Sequence, residues 1–292
     1  MALISDWVAL CSQLAMSDAL RTPQPKKRLH DMTKEELRSE CKKVGKKVGG
    51  LKGELYSRLK EPTITNNRGW NWQHGSQCDH GHFLAQGEHR LVYLAEYTKG
   101  PRKGQKCVWK EFKTGSVFKS SAFDHDIQCV KKASELMRAF MASMLDQGVA
   151  LPRLYMNMPE VWEDAIESEQ KSQCLVEPYI EGNYQKFNSN SGWSADAHEA
   201  MSALSHFSWH YSEGKFLVCD LQGSCDAGHY LLTDPVVLST SQEFGSTDGG
   251  QKAIDNFFAH HRCGMYCQAH WGRPASAQVH FPVRTGTSFF FR

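Results

Sequence analysis

The chain has 292 residues, of which 40% are hydrophobic, 11% aromatic and 23% charged, with a formal net charge of +2. That is enough apolar material for a large domain and a small one, and too little net charge to commit the whole molecule to nucleic acid or a membrane surface. Ten cysteines over this length are not the disulfide framework of a small secreted scaffold, so a reducing, intracellular compartment is expected. Residues 1–20 are apolar in places, but Asp6 interrupts them and no basic stretch precedes them, which argues against a signal peptide. No stretch approaches the ~18 uninterrupted apolar residues of a bilayer span, and no membrane partner is expected. Leu3, Trp7, Leu10 and Leu14 recur at helical spacing and predict an amphipathic helix within 1–20. Two prolines among four basic residues in 21–28 then mark a solvated linker.

Residues 31–61 form a compact unit of their own. Thr33 and Glu36 make a capping box at a helix start, and Leu37, Cys41 and Val44 share the face that follows. Gly45 ends that helix, Gly49-Gly50 shapes a turn, and Leu51, Leu55 and Leu59 predict a second helix. The words ELRSECKKVG and GLKGELYSRL resemble a SAP motif, a helix–loop–helix module. The resemblance implies DNA or RNA as a partner, with Lys42, Lys43, Lys46, Lys47, Lys52 and Arg58 as candidate phosphate contacts, and suggests a nuclear rather than cytoplasmic address. The alternative is a solvated basic face.

Residues 62–79 are expected to be a second linker. WNWQHGSQCDHGHF (70–83) carries three histidines, but a structural zinc site wants paired ligand spacing and only Cys78 supplies sulfur, so it is set aside. Residues 83–100 and 107–115 read as strands joined by the turn PRKGQ, and Lys110 sits within the second. Residues 122–147 are helical in pattern, with Ile127, Val130, Leu136, Phe140 and Met144 as the core stripe. Glu135 and Asp126 are both candidates to pair with Lys110. A strand follows 147–156, and the acidic stretch 162–170 is expected to be exposed.

The apolar run 215–219 delivers Asp220 and Gln222 to a turn expected at Gly223, and Asp234 follows Leu231-Leu232 just before Pro235. Carboxylate and amide oxygens converging there suit Mg²⁺ and a phosphoryl group better than a soft metal. Asp in turns is also a common cap. Downstream, Gly245, Thr247 and Gly250 open a helix through Ile254, Phe257 and Phe258, and His261, Cys263 and Cys267 have zinc-compatible spacing that lacks a fourth ligand.

CLVEPYIEGNYQKFNSNSG (174–192), DLQG (220–223), TDP (233–235), the Gly-rich turn and HRCGMYC (261–267), in that order, resemble the α-kinases, atypical protein kinases. The resemblance covers about residues 80–270 and implies an α+β, two-lobed kinase fold that moves the γ-phosphoryl of ATP to Ser or Thr of a protein substrate. It implies Lys110, Arg90 and Lys186 on phosphates, with Gly87 allowing close approach; Gln222 and Asp234 on Mg²⁺; and Asp220 and Asp234 sharing nucleophile positioning and proton acceptance. Glu177, Tyr179 and Ile180 would face adenine, largely through main-chain groups, with Asn188 and Asn190 serving a turn. The late Gly-rich loop is associated with peptide substrate in the family, and Asp248-Gly249 departs from the usual Asn-Leu. His206 occupies the family's fourth-ligand position, completing a structural Zn²⁺ site with His261, Cys263 and Cys267; His210 and His260 are the neighbouring rivals, and Gly264 replaces an Asn with little expected effect on the metal. Residues 271–292 lie beyond the resemblance as an aromatic tail. The competing expectation is a catalytically inactive kinase-like scaffold with a nucleic-acid module.

Overall fold

The computed structural model describes residues 32–43, 48–49, 51–52, 55, 68–71, 76–87, 89–164 and 172–290. The expectations for 1–28, and for Val44, Gly45, Lys46, Lys47, Gly50, Arg58 and Leu59, lie outside them. The chain divides into two compact units, Met1–Ile64 and Thr65–Arg292.

In the smaller unit, helix α1 (Lys34–Lys43) starts at the capping box. The Thr33 N–H donates to Glu36 Oε2 at 2.5 Å and the Glu36 N–H donates to Thr33 Oγ1 at 3.2 Å, so two otherwise orphaned donors are satisfied reciprocally. Leu37, Cys41 and Leu55 are fully buried together, flanked by Met32. The Leu55 N–H donates to the Leu51 carbonyl at 3.1 Å, a helical turn at the predicted place. Lys42 and Lys52 are exposed.

The larger unit opens with β1 (Arg68–Asn71), β2 (Ser76–Gln86), β3 (Arg90–Lys99) and β4 (Lys106–Phe112). A short 3-10 turn (Ser120–Phe123) leads into α2 (Asp124–Asp146), then come β5 (Arg153–Met156), β6 (Glu160–Asp164) and β7 (Gln173–Pro178). The order β1-β2-β3-β4-β7-β6 closes on itself as a barrel, filled by Tyr97, Trp109, Trp162 and the cysteines Cys78, Cys107 and Cys174. Three expectations are corrected here. The stretch read as linker contributes β1 and the start of β2. The stretch 83–100 is not continuous strand: it breaks between Gln86 and Arg90, where the Gly87 N–H donates to the Arg90 carbonyl at 2.9 Å. The acidic stretch begins in β6, and Trp162 is fully buried because the strand's alternation turns it into the barrel.

Beyond the barrel lie β8 (Tyr184–Lys186), α3 (Glu199–Tyr211), β9 (Phe216–Cys219), β10 (Gln222–Asp226), β11 (His229–Thr233), β12 (Val236–Ser239) and α4 (Gly250–His260). One sheet runs β5-β11-β10-β8, with β11 and β5 parallel, and β9 and β12 make a separate antiparallel ribbon. Val130, Leu136, Phe140 and Met144 of the predicted stripe are buried; Ile127 is half-buried. Phe140 meets Phe207 of α3 at 5.3 Å between ring centres.

Gly223 is not in a turn but inside β10, opposite Leu232. Its φ is +146°, and a Cβ there would lie 1.9 Å from the Leu231 carbonyl oxygen, so glycine lets the two strands close. The turn comes at Ala227-Gly228 instead. Within the aromatic tail, Trp271 is buried in the main core, and Phe281 and Phe290 pack against β9, β12 and α4. No helix among the described residues is long and apolar enough to cross a membrane.

Candidate active site and metal centre

Lys110 on β4 faces Leu175 of β7, while Val108 faces Glu177. Strand alternation therefore sets Lys110 and Glu177 on one face as diagonal neighbours. The Lys110 ammonium lies 2.5 Å from Glu177 Oε1 and 2.6 Å from Asp234 Oδ2. Lysine and glutamate are buried, their side chains 5% and 2% exposed, whereas Asp234 is 43% exposed. The Thr233 hydroxyl sits 2.9 and 2.8 Å from the two Glu177 oxygens and donates to that carboxylate. Burial alone would drive Lys110 toward the neutral amine, but the Asp234 and Glu177 carboxylates outweigh it and hold the ammonium above its ordinary range. Burial raises Glu177 against the pull of Lys110. It pushes Asp234 the same way, yet Lys110, with Arg90 and Lys186 beyond it, brings that carboxyl below its usual range.

One expectation changes. Lys110 pairs with neither helix acid: Asp126 holds Arg90 at 2.6 Å and Glu135 holds Lys132 at 2.8 Å. The Glu177 side chain is turned to Lys110 and buried. In the connector beyond it, the Tyr179 N–H donates to the Lys106 carbonyl at 3.1 Å, so that donor is engaged within the protein, and Ile180 is 7% exposed. Arg90, assigned to phosphate by the resemblance, is engaged by Asp126 and lies over the Phe112 ring at 4.7 Å.

The second half of the site is Asp220, 1% exposed, in the break between β9 and β10. Its Oδ1 is 2.7 Å from the Lys186 ammonium and accepts the Asn190 N–H at 3.1 Å; its Oδ2 accepts the Thr287 hydroxyl. Lys186 of β8 pairs across with Gln222 of β10, which pairs with Thr233 of β11. Three adjacent strands thus line up Lys186, Gln222 and Thr233, with Asp220 two residues before Gln222 and Asp234 one after Thr233. Gln222 Nε2 donates to the Asp234 carbonyl at 3.2 Å, leaving its amide oxygen as a hard donor.

Asp220 and Asp234 both have left-handed backbones, φ +59° and +47°. Asn188 and the preceding main chain hold the first: Asn188 Oδ1 accepts the Leu221 N–H at 2.9 Å, and the Phe187 N–H donates to the Leu221 carbonyl at 2.8 Å. Asn188 and Asn190 therefore serve more than their own turn. Asn190 Nδ2 donates to the Thr247 carbonyl at 2.9 Å and to the Ser288 carbonyl at 2.7 Å. In the Gly-rich loop, the unusual Asp248 is 1% exposed and accepts from the Ser239 N–H and hydroxyl at 2.9 and 2.6 Å and the Gly250 N–H at 3.0 Å, pinning the start of α4 to β12. Thr233 and Thr287 had no assigned role in the sequence reading, and Asn188 was assigned only to its own turn.

His206, His261, Cys263 and Cys267 come together from α3 and from the turn after α4, their donor atoms all within 4.8 Å of one another. His206 Nδ1 to His261 Nε2 is 3.2 Å; Cys263 Sγ lies 3.6 Å from His206 Nδ1 and 3.8 Å from His261 Nε2, and Cys267 Sγ lies 3.6 Å from His261 Nε2. A tetrahedron with metal–nitrogen bonds of ~2.0–2.1 Å and metal–sulfur bonds of ~2.3 Å has edges of about 3.3 and 3.6 Å, so the donor set fits a metal ion. His206 Nε2 lies 3.0 Å from the Gly272 carbonyl, a bond that fixes the ring with Nδ1 inward. Burial lowers both imidazoles, His261 to about 3, favouring the neutral, ligating form. The rivals are engaged elsewhere: His260 Nδ1 with the Asn256 carbonyl at 2.8 Å, and His210 Nδ1 with the Gly272 N–H at 3.1 Å. Gly264 has a local use, since a Cβ there would lie 2.2 Å from Glu199 Oε2, which accepts the Met265 N–H at 2.8 Å.

Residues 85–267 match the alpha-kinase family and residues 28–61 the SAP domain. The chain belongs to the alpha-kinase family. It is 41% identical over 96 residues to alpha-protein kinase vwkA and 39% identical over 97 residues to myosin heavy chain kinase B, both of Dictyostelium discoideum. Each match covers 32% of this chain and only 15% and 13% of those relatives' own length. The alpha-kinase domain of myosin-II heavy chain kinase A, solved with adenosine, superposes with a TM-score of 0.59 at 20% identity, covering 72% of this chain and 97% of that one. That likeness gives the fold.

Lys110→Met strips a buried carboxylate of its cation and should destabilise the protein by about 3–5 kcal/mol. Lys110→Met/Glu177→Gln, which removes both buried charges, should recover most of that loss in urea unfolding.

Proposed function

We propose that this chain is an ATP-dependent protein serine/threonine kinase, with residues 28–61 bringing it to DNA or RNA. The observation that carries the reading is the pair of charge clusters, Glu177–Lys110–Asp234 and Lys186–Asp220, on neighbouring strand ends. Phosphoryl transfer asks mainly for positioning and charge stabilisation, and these clusters supply cations, hard oxygens and a carboxylate base. Lys110 and Lys186, with Arg90 behind them, serve the phosphates. Gln222 and Asp234 offer amide and carboxylate oxygens of the kind Mg²⁺ takes. Asp220 orients the substrate hydroxyl and accepts its proton, and Asp234 contributes to that positioning. Main-chain groups at Glu177, Tyr179 and Ile180 flank the adenine; the adenosine complex of the similar kinase domain supports a nucleoside site. Zn²⁺ at His206, His261, Cys263 and Cys267 has no open position and supplies stability, tying α3 to the turn after α4.

With labelled ATP, Mg²⁺ and a basic threonine peptide, the chain should transfer phosphate, and Asp234→Ala should cut the rate by at least about 100-fold, the scale of losing a positioned acid–base group. Binding of ATP with no transfer to any acceptor would support the inactive scaffold instead.

One zinc should copurify per chain. Cys263→Ser/Cys267→Ser should lose it and melt well below the unmodified protein, while His210→Ala and His260→Ala retain it. Full zinc retention in the double cysteine variant, by elemental analysis, would exclude this ligand set.

Binding of duplex DNA or RNA should weaken steeply as salt rises, because phosphate contacts release counterions. Replacing Lys42, Lys43, Lys46 and Lys47 by Glu should abolish it in a fluorescence titration without changing phosphate transfer to the peptide.

A further inference from the structure

The segment 284–290 crosses the site, bent at Thr285-Gly286 and held by its main chain on either side. The Arg284 N–H donates to Ser191 Oγ at 2.8 Å, and the Ser191 hydroxyl donates to the Arg284 carbonyl at 3.0 Å. The Ser288 N–H donates to Asn190 Oδ1 at 2.8 Å, and Asn190 Nδ2 donates to the Ser288 carbonyl at 2.7 Å. The Phe290 N–H then donates to the Ser246 carbonyl of the Gly-rich loop at 2.8 Å. Main-chain contacts of this kind bind a strand-like peptide with little regard to its sequence, leaving the choice of residue to whatever lies between the clamps.

Between them lies Thr287. Its hydroxyl donates to Asp220 Oδ2 and accepts from the Lys186 ammonium at 3.0 Å. A hydroxyl that is to attack phosphorus needs a carboxylate to take its proton, a cation beside the developing negative charge, and a fixed position. Thr287 has all three. A threonine wanted only for packing or turn formation has no need of a carboxylate that is 1% exposed and already paired with a lysine.

We infer that 284–290 occupies the acceptor-peptide groove and that Thr287 is phosphorylated by its own chain, in cis. This rests on the kinase reading proposed above and identifies an acceptor for that site. Thr287 Oγ1 forms a bond to the γ-phosphorus of ATP as the bond from that phosphorus to the oxygen bridging it to the β-phosphate breaks. ADP leaves with that oxygen, and the hydroxyl proton passes to Asp220 and on to solvent. The product carries a charge of about −1.5 to −2 against Asp220, and this repulsion expels the segment and opens the groove to other acceptors.

The test uses the full chain, treated with phosphatase and then given Mg-ATP at two well-separated protein concentrations, with a basic threonine peptide in parallel. Mass spectrometry should find phosphate on Thr287, with a half-time independent of protein concentration. Thr287→Ser should still be modified at that position. Thr287→Val should lose it and phosphorylate the added peptide severalfold faster from the start, its segment being less firmly held. A phosphorylated peptide with Thr287 left bare, or phosphate on Ser288 instead, overturns the inference and leaves the kinase reading standing. A half-time that shortens with protein concentration overturns the cis assignment. Transfer to neither Thr287 nor the peptide overturns the kinase reading and this inference with it.

Discussion

The ammonium of Lys110 is the point on which the larger unit turns. It is rooted in the barrel through β4, shares a face with Glu177 of β7, and reaches out of the barrel to Asp234, which follows β11 in the other sheet. Taking a lysine and a glutamate out of water costs several kcal/mol per ion, and only close pairing with satisfied neighbours repays it. The Thr233 hydroxyl on Glu177 and the second carboxylate on Lys110 provide that satisfaction. A small displacement of the β11 end relative to the barrel would break the pairing and leave buried charge behind. The interaction therefore fixes the relative position of two sheets that share no strand.

Around this bridge the backbone is held away from its preferred shapes. Two aspartates with φ near +50° cost on the order of 1–3 kcal/mol each and persist only where neighbouring contacts over-determine them. At Asp220 those contacts are visible in the grip of Phe187 and Asn188 on both polar groups of Leu221. The carboxylate is thus held in a fixed direction, the preorganisation that the proposed phosphoryl transfer asks of it.

Much of this was legible in the sequence, for physical reasons. Strong helical periodicity gave α2 and the capping box gave α1. The ordered words around Lys186, Asp220 and Asp234 singled out residues that the fold brings to adjacent strand ends. His206, separated from His261, Cys263 and Cys267 by two strand pairs and a helix, was named only through the family resemblance. What was not legible depends on pairing at a distance. Glu177 read as part of a connector because nothing local reveals that it lies diagonal to Lys110 across β4 and β7. Gly223 read as a turn because glycine favours turns, whereas here its lack of a side chain admits the Leu231 carbonyl. Trp162 looked exposed because its acidic neighbours dominate the local composition, while strand alternation buries it.

Strand β1 is only four residues long, yet it is hydrogen-bonded on both sides, to β2 and to β6. Those two strands would otherwise end the sheet, each with a row of unsatisfied main-chain donors and acceptors. Such rows recruit strands from other molecules and seed aggregation. Closing the ring with so short a piece gives the barrel no free edge, so colloidal behaviour hangs on a few main-chain hydrogen bonds at its start.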